Sequence, residues 1–429
     1  MRLALLDINL ERRRSFDPLC LSRPVWELRC GMTTLGAKLA AKFPAAEVAY
    51  FVPEYMASAY AAKAGGPVND RAVLADDDLL LVNGRLKADA LDVAPTGPSE
   101  IALSADGEVL YARIARADLA PLADAPCLTC FLMLARELLP TVRRDLATWN
   151  YTWDLILANA DQIKADFAAA ARHGIEGTLE QPGTIRGSQK DVYVAPGARI
   201  HPMVVLDAEH GPIYIDEGAE IHPFTRIEGP CYVGAESILL GAKCREGNTI
   251  GPVCRVGGEV EESILQGYAN KYHDGFLGHA YVGEWVNLGA LTTNSDLKND
   301  YGDVSVTLDG RRPVETGSKK VGSLIGDHTK TSVGTLFNTG SYVGAMAVIL
   351  ATGEPLPKFL PSFGWFLGGV VTKGFGRKKL YETATVAMAR RGCQWSGAEQ
   401  AMWDAVFELT AGPRDEAIRK GRRAMQKRR

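Results

Sequence analysis

The feature that most restricts this chain is an internal six-residue period between about Thr178 and Leu350. Ile215, Ile221, Ile227, Val233 and Leu239 recur at that interval, and the segment reads IDEGAE, IHPFTR, IEGPCY, VGAESI. The register returns in Ile250 and Val256, in Phe276, Val282 and Leu288, and in Ile325, Thr331, Phe337, Val343 and Ile349. One inward aliphatic residue in every six is the signature of a parallel β-helix with three hexapeptides in each coil. A small residue after the aliphatic one permits the tight corner between faces. Unrelated strands explain one such stretch as well as a coil does, but not four stretches in a single period. Loops that leave a solenoid cost little entropy and often carry function, and Ser295 to Lys320 is the longest break.

Upstream, the short apolar runs Leu3 to Leu6, Val48 to Val52 and Leu79 to Val82 alternate with helical patterns such as Thr33 to Lys42, which predicts a small α/β unit. Thr129 to Arg172 reads as mainly helical. Downstream, Ser396 and Glu399 form an S-x-x-E capping box ahead of a helix that Gly412 and Pro413 are expected to end. From Arg414 onward there are eight basic and two acidic side chains, read as a solvated tail. The expected organisation is an α/β domain over 1–128, a helical bridge over 129–177, a β-helix over 178–352, and a helical extension with a basic tail over 353–429.

A net charge of -3 argues against a polyanion-wrapping role, which needs a clustered excess of Lys and Arg, so no nucleic-acid partner is expected. The N-terminal apolar run is too short for a signal peptide or membrane anchor, and Phe359 to Val371 is too short to span a bilayer. Eight cysteines without regular spacing fit a reducing compartment, so a cytoplasmic location and no membrane partner are expected. Cys127 and Cys130 make a lone C-x-x-C, read as thiols at a helix start rather than half of a zinc site. His201 and His222 each open a His-Pro corner, and turn roles are expected for them in preference to metal ligation. No metal site is assigned.

Chemistry concentrates in Asn270 to Gly302, where His273, Asp274, Asn287, Asn294, Asp296 and Lys298 cluster as the hexapeptide register breaks and resumes. Acyl transfer from a thioester to an amine needs a base for the amine proton and donors for the developing oxyanion. Histidine suits the first task because its ordinary pKa lies near neutrality. Asp327, His328 and Lys330, then Asn338 and Thr339, form two further polar groups in the last coils. Lys330 suits a pyrophosphate, whereas Asn338 fits an internal asparagine ladder.

The run from His273 to Ala290 resembles the acetyltransferase region of the bifunctional bacterial enzyme that makes UDP-N-acetylglucosamine. His273, Gly278, Val286, Asn287, Leu288, Gly289 and Ala290 occupy the matching positions. Over nearly the whole chain, the motifs SRPVWELRCG, NGRL, NKYHDGFLGH, NSDLKNDYG, GDHTKT, FNTG and PKFLPSFGW resemble a group of bacterial proteins described as an alternative GlmU-like form of that enzyme and usually called sugar nucleotidyltransferases. The resemblance implies a left-handed coil, a homotrimer with sites between neighbouring coils, and His273 as general base. It also implies that Phe276 and Asn287 bind the amino sugar and that Ala290 and Asn294 border an acetyl-CoA groove, to which Lys330 is added. Lys271 and Arg255 are assigned with Phe276 and Asn287 to the substrate. Beyond Ala290 the sequence is about two residues shorter than the family pattern.

In the N-terminal unit, Arg23, Arg29 and Lys38 lie where nucleotidyltransferases grip phosphates, and Asn83 where they place a Mg²⁺-binding aspartate. The glycine-rich G-x-G-T-R-M loop of those enzymes is absent, and ion pairing of Arg23 and Arg29 with Asp7, Glu27 or the β-helix base is an equal reading. The leading expectation is acetyl-CoA-dependent N-acetylation of an amino-sugar 1-phosphate such as glucosamine 1-phosphate in cell-envelope sugar-nucleotide synthesis. Coupling to a nucleoside triphosphate with Mg²⁺ would give UDP-N-acetylglucosamine or a related nucleotide sugar. Two alternatives stay open: nucleotidyl transfer alone with the coil as a trimerisation platform, and a non-catalytic sugar-nucleotide sensor.

Overall fold

The computed structural model describes residues 1–427. Three parts are present: an α/β unit, a parallel β-helix and a helical extension. The β-helix follows from the six-residue period. Each hexapeptide gives two or three residues of strand and then a corner, and every strand pairs in parallel with the equivalent strand one rung away. The first face is a ladder of ten such strands, from Gly174–Ile175 to Phe359–Leu360. The second runs from Thr178–Leu179 to Asn270–Lys271, passes through bridges at Asn287, and resumes at Lys330–Thr331. The third runs from Thr184–Arg186 to Phe276–Gly278.

Ile215, Ile221, Ile227, Val233 and Leu239 are fully buried inside the coil, as are Ile250 and Val256. The period slips at several rungs, five residues from Leu239 to Cys244 and four from Val256 to Val260, and at the rung of Phe276 it is Leu277 that points inward while Phe276 faces outward beside Glu259. The step from Leu277 to Val282 is one residue short of a hexapeptide, which displaces the expected position of Phe276. Corners are also less restricted to small residues than the pattern suggests. Met203, Phe224, Tyr268, Trp285 and Leu291 all adopt positive φ there, a conformation that costs an L-residue roughly 1–2 kcal/mol. The break from Ser295 to Lys320 carries an antiparallel hairpin, Ser305–Thr307 with Pro313–Glu315.

The α/β unit is a six-stranded sheet in the order Glu47–Phe51, Arg2–Leu6, Leu79–Asn83, Val109–Ile114, Glu100–Leu103, Thr141–Arg143. Its last strand falls in the stretch expected to be a helical bridge. That strand pairs in parallel with Glu100–Leu103, so the sheet extends past residue 128, and helices Leu128–Leu138 and Thr152–Ala170 flank the strand. Cys127 caps the first of these helices, its sulfur accepting the Cys130 amide at 3.2 Å.

The extension contains helices Arg377–Ala389, Gly397–Leu409 and Ala411–Lys427. The Ser396 and Glu399 capping box forms as expected. The helix it opens stops at Leu409, just before the expected stop, while Gly412 and Pro413 lie in the first turn of a third helix, which includes the described part of the expected solvated tail. Gly421 passes so close to the strand pair at Trp365–Leu367 and Val370–Thr372 that a Cβ there would lie 2.3 Å from the Val371 carbonyl oxygen. Arg414 is buried, with its guanidinium carbon 3.7 Å from the Phe407 ring centre. Arg428 and Arg429, the end of the expected tail, lie outside the described residues. Among the described residues, no helix is long and apolar enough to cross a membrane.

Helix Gly397–Leu409 packs on helix Glu54–Ala61 of the α/β unit. The α/β unit in turn docks on the first face of the coil through a buried ion cluster. Arg23 meets Asp327 Oδ1 at 3.0 Å and Glu284 at 3.1 Å, and the Ser22 hydroxyl donates to Asp327. Replacing Arg23 with Ala leaves two buried carboxylates without their cation, and removing one partner of such a pair costs about 3–5 kcal/mol. The Arg23→Ala variant is expected to lose stability on that scale, read as an earlier midpoint in chemical denaturation.

A basic and aromatic cleft on the second face

Three consecutive rungs carry an aromatic ring, an inward residue and a polar side chain in the same order: Tyr268-Ala269-Asn270, Trp285-Val286-Asn287 and His328-Thr329-Lys330. Because the rungs stack in register, each position becomes a column. Tyr268 and Trp285 stack at 4.3 Å between ring centres, and Trp285 and His328 at 6.1 Å. Asn270 donates to the Asn287 side chain, and Lys330 to the Trp285 carbonyl. Helix Arg377–Ala389 lies over these columns and encloses a cleft of about 560 Å³, to which it and the residues after it add Lys379, Arg390 and Arg391.

Four cations, Lys330, Lys379, Arg390 and Arg391, line the cleft against one carboxylate, Glu382, which Lys379 meets at 3.1 Å. Burial pushes the Lys330 ammonium down to about 8, against the pull of Asp327. Burial, and then the neighbouring charge of Arg391, hold the Arg255 guanidinium below its ordinary range. Arg255 pairs in register with Asn270, so it stands one rung before Asn270 in the same column. An anionic ligand would relieve this crowding, and the ring stack offers a flat surface for a heterocycle or a sugar face.

His273 lies three residues beyond Asn270 on the same rung, exposed at the corner between the second and third faces, with the Tyr272 ring beside it at 5.7 Å. Ala290 belongs to the corner of the next rung, where the adjacent Leu291 amide donates to the Asp274 carbonyl. His273, Ala290, Asn287, Lys330 and Arg255 are therefore brought to one strip of the coil. Phe276 lies on the third face. Lys271 and Asn294 stay inside the coil. The Lys271 ammonium, pushed down to about 8 by burial, donates to the Gly257 carbonyl at 3.1 Å. The Asn294 amide group holds both the N–H and the C=O of Gly278, each at 2.8 Å.

The residues expected to grip nucleotide phosphates are spread apart. Arg23 is spent in the ion cluster. Arg29 donates to the Gln266 carbonyl and to the Met32 carbonyl at the junction with the coil. Lys38 is paired with Asp166. Lys38 lines a cleft of about 510 Å³ beside Asp166, and Asn83 reaches a crevice, of about 250 Å³, at the carboxyl ends of the two central strands, which it shares with Asp7, Asn9, Arg85, Glu108 and Arg136. Open α/β sheets bind ligands at that place. The two carboxylates there are already neutralised: Asp7 by Arg13 at 2.8 Å, and Glu108 by Arg85. Those pairings do not fit a Mg²⁺ site.

Sequence reasoning missed Tyr268, Asn270 and Trp285, although the repeated aromatic-x-polar triplet announces them once the rungs are aligned. It also missed Lys379, Arg390 and Arg391, for which no sequence signal tied the final helices to the coil. A further buried group went unnoticed as a unit: His279 sits between Asp296 at 2.8 Å and Glu262 at 3.0 Å. Burial opposes its charge, but the hydrogen bonds to both carboxylates prevail and hold it up at about 9.

Residues 8–173 match the sugar nucleotidyl transferase family. Over 91 residues, 21% of this chain, the sequence is 33% identical to a bifunctional sugar-1-phosphate nucleotidylyltransferase/acetyltransferase of Sulfurisphaera tokodaii. Over a stretch of the same length it is 30% identical to the bifunctional protein GlmU of Methanococcus maripaludis. The match covers 22% of the length of each of these curated relatives. Among solved structures, an Arabidopsis UDP-N-acetylglucosamine acyltransferase aligns over 59% of this chain and 91% of its own, at 13% identity and a TM-score of 0.26. The polySia-specific acetyltransferase NeuO aligns over 49% of this chain and 95% of its own, at 10% identity and a TM-score of 0.21.

The His279 group makes a pH prediction. Its folded pKa, about 9, lies above the unfolded value near 6.5, so its contribution is complete below about pH 6.5 and disappears as pH rises through about 9. The stability advantage of the wild type over His279→Gln is expected to shrink by up to roughly 3 kcal/mol across that window, while Lys271 and Lys330, held down at about 8 by burial, act on both proteins alike. Denaturation midpoints measured at pH 6, 7.5 and 9 decide it.

Proposed function

We propose that the chain is a transferase of sugar-nucleotide synthesis that moves an acetyl group from acetyl-CoA to the amine of an amino-sugar 1-phosphate such as glucosamine 1-phosphate. The observation that carries this reading is the strip on the coil where His273 and Ala290 occupy the corner beyond a cleft lined by Asn287 and Lys330, with Arg255 one rung before Asn270 and three more cations supplied by the C-terminal extension. The Sulfurisphaera tokodaii relative, named a bifunctional sugar-1-phosphate nucleotidylyltransferase/acetyltransferase, supports it. His273 accepts the proton of the amine as nitrogen attacks the thioester carbonyl. The tetrahedral intermediate then collapses, the amide forms, and the CoA thiol leaves with a proton. The cationic cleft binds phosphate or pyrophosphate. Phe276, Lys271 and Asn294 act from behind this strip by shaping the rungs.

A homotrimer belongs to the same reading. Met203, Phe224, Leu291 and Val333 stand 51%, 74%, 60% and 67% exposed along the corner that carries His273. Apolar side chains aligned on one edge favour contact with another copy, which would place His273 in a groove between coils. The same reading puts the enzyme in the cytoplasm, in cell-envelope precursor synthesis.

Thiol release from acetyl-CoA with glucosamine 1-phosphate as acceptor tests the proposal. General-base catalysis typically contributes about 10²–10⁴-fold, so His273→Ala is expected to lower turnover by at least 100-fold while keeping its oligomeric state. Unchanged turnover in that variant, or no acceptor-dependent release by the wild type, removes the assignment.

A second reading, nucleotidyl transfer by the α/β unit, is favoured by the match of residues 8–173 to the sugar nucleotidyl transferase family. It would use the crevice at Asn83. With both crevice carboxylates paired to arginines, the expected outcome is no pyrophosphate release from UTP and N-acetylglucosamine 1-phosphate above background. Release that Asn83→Ala abolishes would establish the second reading, with the coil as its oligomerisation platform.

A further inference from the structure

We propose that His201, His222 and Glu220 form a site for one divalent transition-metal ion of the zinc class on the early rungs of the β-helix, with Glu180 on the Nδ1 side of the His201 ring to orient it. It lies apart from the cleft and does not depend on the acyltransferase reading.

The placement follows from the rungs. Ile200-His201-Pro202 and Ile221-His222-Pro223 repeat one motif. The His201 amide donates to the Ile221 carbonyl at 2.9 Å and the Glu180 amide to the Ile200 carbonyl at 2.9 Å. Glu180, His201 and His222 therefore form one column over three consecutive rungs. Glu220 lies two residues before His222, on the same face. The two imidazoles stack at 4.8 Å between centres and 25° between planes, in keeping with the spacing of paired strands.

Both rings direct Nε2 at one carboxylate oxygen, Glu220 Oε1, at 2.8 Å from His201 and 3.6 Å from His222. Glu180 Oε2 stands 3.9 Å from His201 Nδ1. The three donor atoms of His201, Glu220 and His222 all lie within 4.8 Å of one another. Donors about 2.0–2.1 Å from a tetrahedral zinc ion stand about 3.3 Å apart. The two imidazole-to-carboxylate separations, 2.8 and 3.6 Å, bracket that value. Imidazole with carboxylate is a donor set that favours zinc, copper or nickel over magnesium or calcium.

Two features make the cluster more than an ion pair. The prolines restrict the backbone of the histidine before each of them to extended conformations, which fixes both ligands at the corner before any ion arrives. All three side chains are half-buried, reachable by an ion yet supported by packed rungs. The corner role expected for each histidine and the ligand role are thus compatible: the corner aims the ring.

The test uses the full-length protein, stripped with a chelator and dialysed. Titration with Co²⁺, followed by its visible absorption, and competition with Zn²⁺ should show one ion per chain with micromolar or tighter affinity. His201→Ala and His222→Ala should each weaken binding at least 30-fold and lose the tetrahedral spectrum. Glu220→Gln should weaken it about 10-fold, and His210→Ala, on an exposed loop, should leave it unchanged. A raised thermal midpoint with Zn²⁺ in the wild type, absent in the double variant His201→Ala/His222→Ala, is the second readout. Non-saturable uptake, or equal affinity in wild type and the double variant when both show the same circular dichroism, overturns the proposal.

Discussion

Everything functional in this molecule depends on the parallel backbone ladder of the coil. Adjacent strands in such a ladder lie about 4.8 Å apart, and a residue's place in the hexapeptide fixes both the face it occupies and its neighbours above and below. Side chains far apart in sequence therefore meet whenever they share a place in their rungs. Arg255, Asn270, Asn287 and Lys330 form a polar column for this reason. The Tyr268 and Trp285 stack and the His201 and His222 stack arise in the same way. A loop insertion such as Ser295 to Lys320 leaves the ladder intact, since Tyr281 still pairs with Leu324 across it.

The α/β unit illustrates how a charged residue can serve docking instead of ligand binding. Arg23 has the chemistry of a phosphate ligand, but the coil supplies Asp327 and Glu284 first. Burial raises the Asp327 carboxyl, whereas Arg23 prevails over the same burial at Glu284 and keeps that carboxylate low. The cost of dehydrating these charges is met by one another, which makes the contact specific in geometry more than strong. In the crevice at Asn83, Asp7 and Glu108 are likewise occupied by arginines. The unit keeps the strand order that places a crevice at the carboxyl ends of its central strands, while the groups that line it hold each other.

How much of this was legible in the sequence depends on whether the signal was local or columnar. The period gave the coil, because Ile215 to Leu239 and Ile325 to Ile349 are all inward residues. The capping box at Ser396 and Glu399 was readable for the same local reason. Phe276 was misplaced because the shortened step before Val282 shifts the inward role to Leu277. The last helix reads as a solvated tail because its charge count is local, whereas its packing rests on Gly421 meeting a strand pair some fifty residues upstream. The cations of the cleft were invisible for that reason too: nothing in Lys379 or Arg391 indicates which face of the coil lies beneath.

The closure of the extension on the α/β unit bears on how the chain is made. Helix Glu54–Ala61 packs against helix Gly397–Leu409, and Arg23 pairs with a carboxylate 304 residues further on. The α/β unit, made before the coil and the extension, thus lacks the counter-charge for its most buried arginine until the coil has been synthesised and the cover for one of its helices until the extension has followed. Contacts of such long range form late. A nascent chain of this protein holds an unfinished surface throughout translation of the coil, and its demand for chaperones should be set by the length of the solenoid that separates the two halves of the clasp.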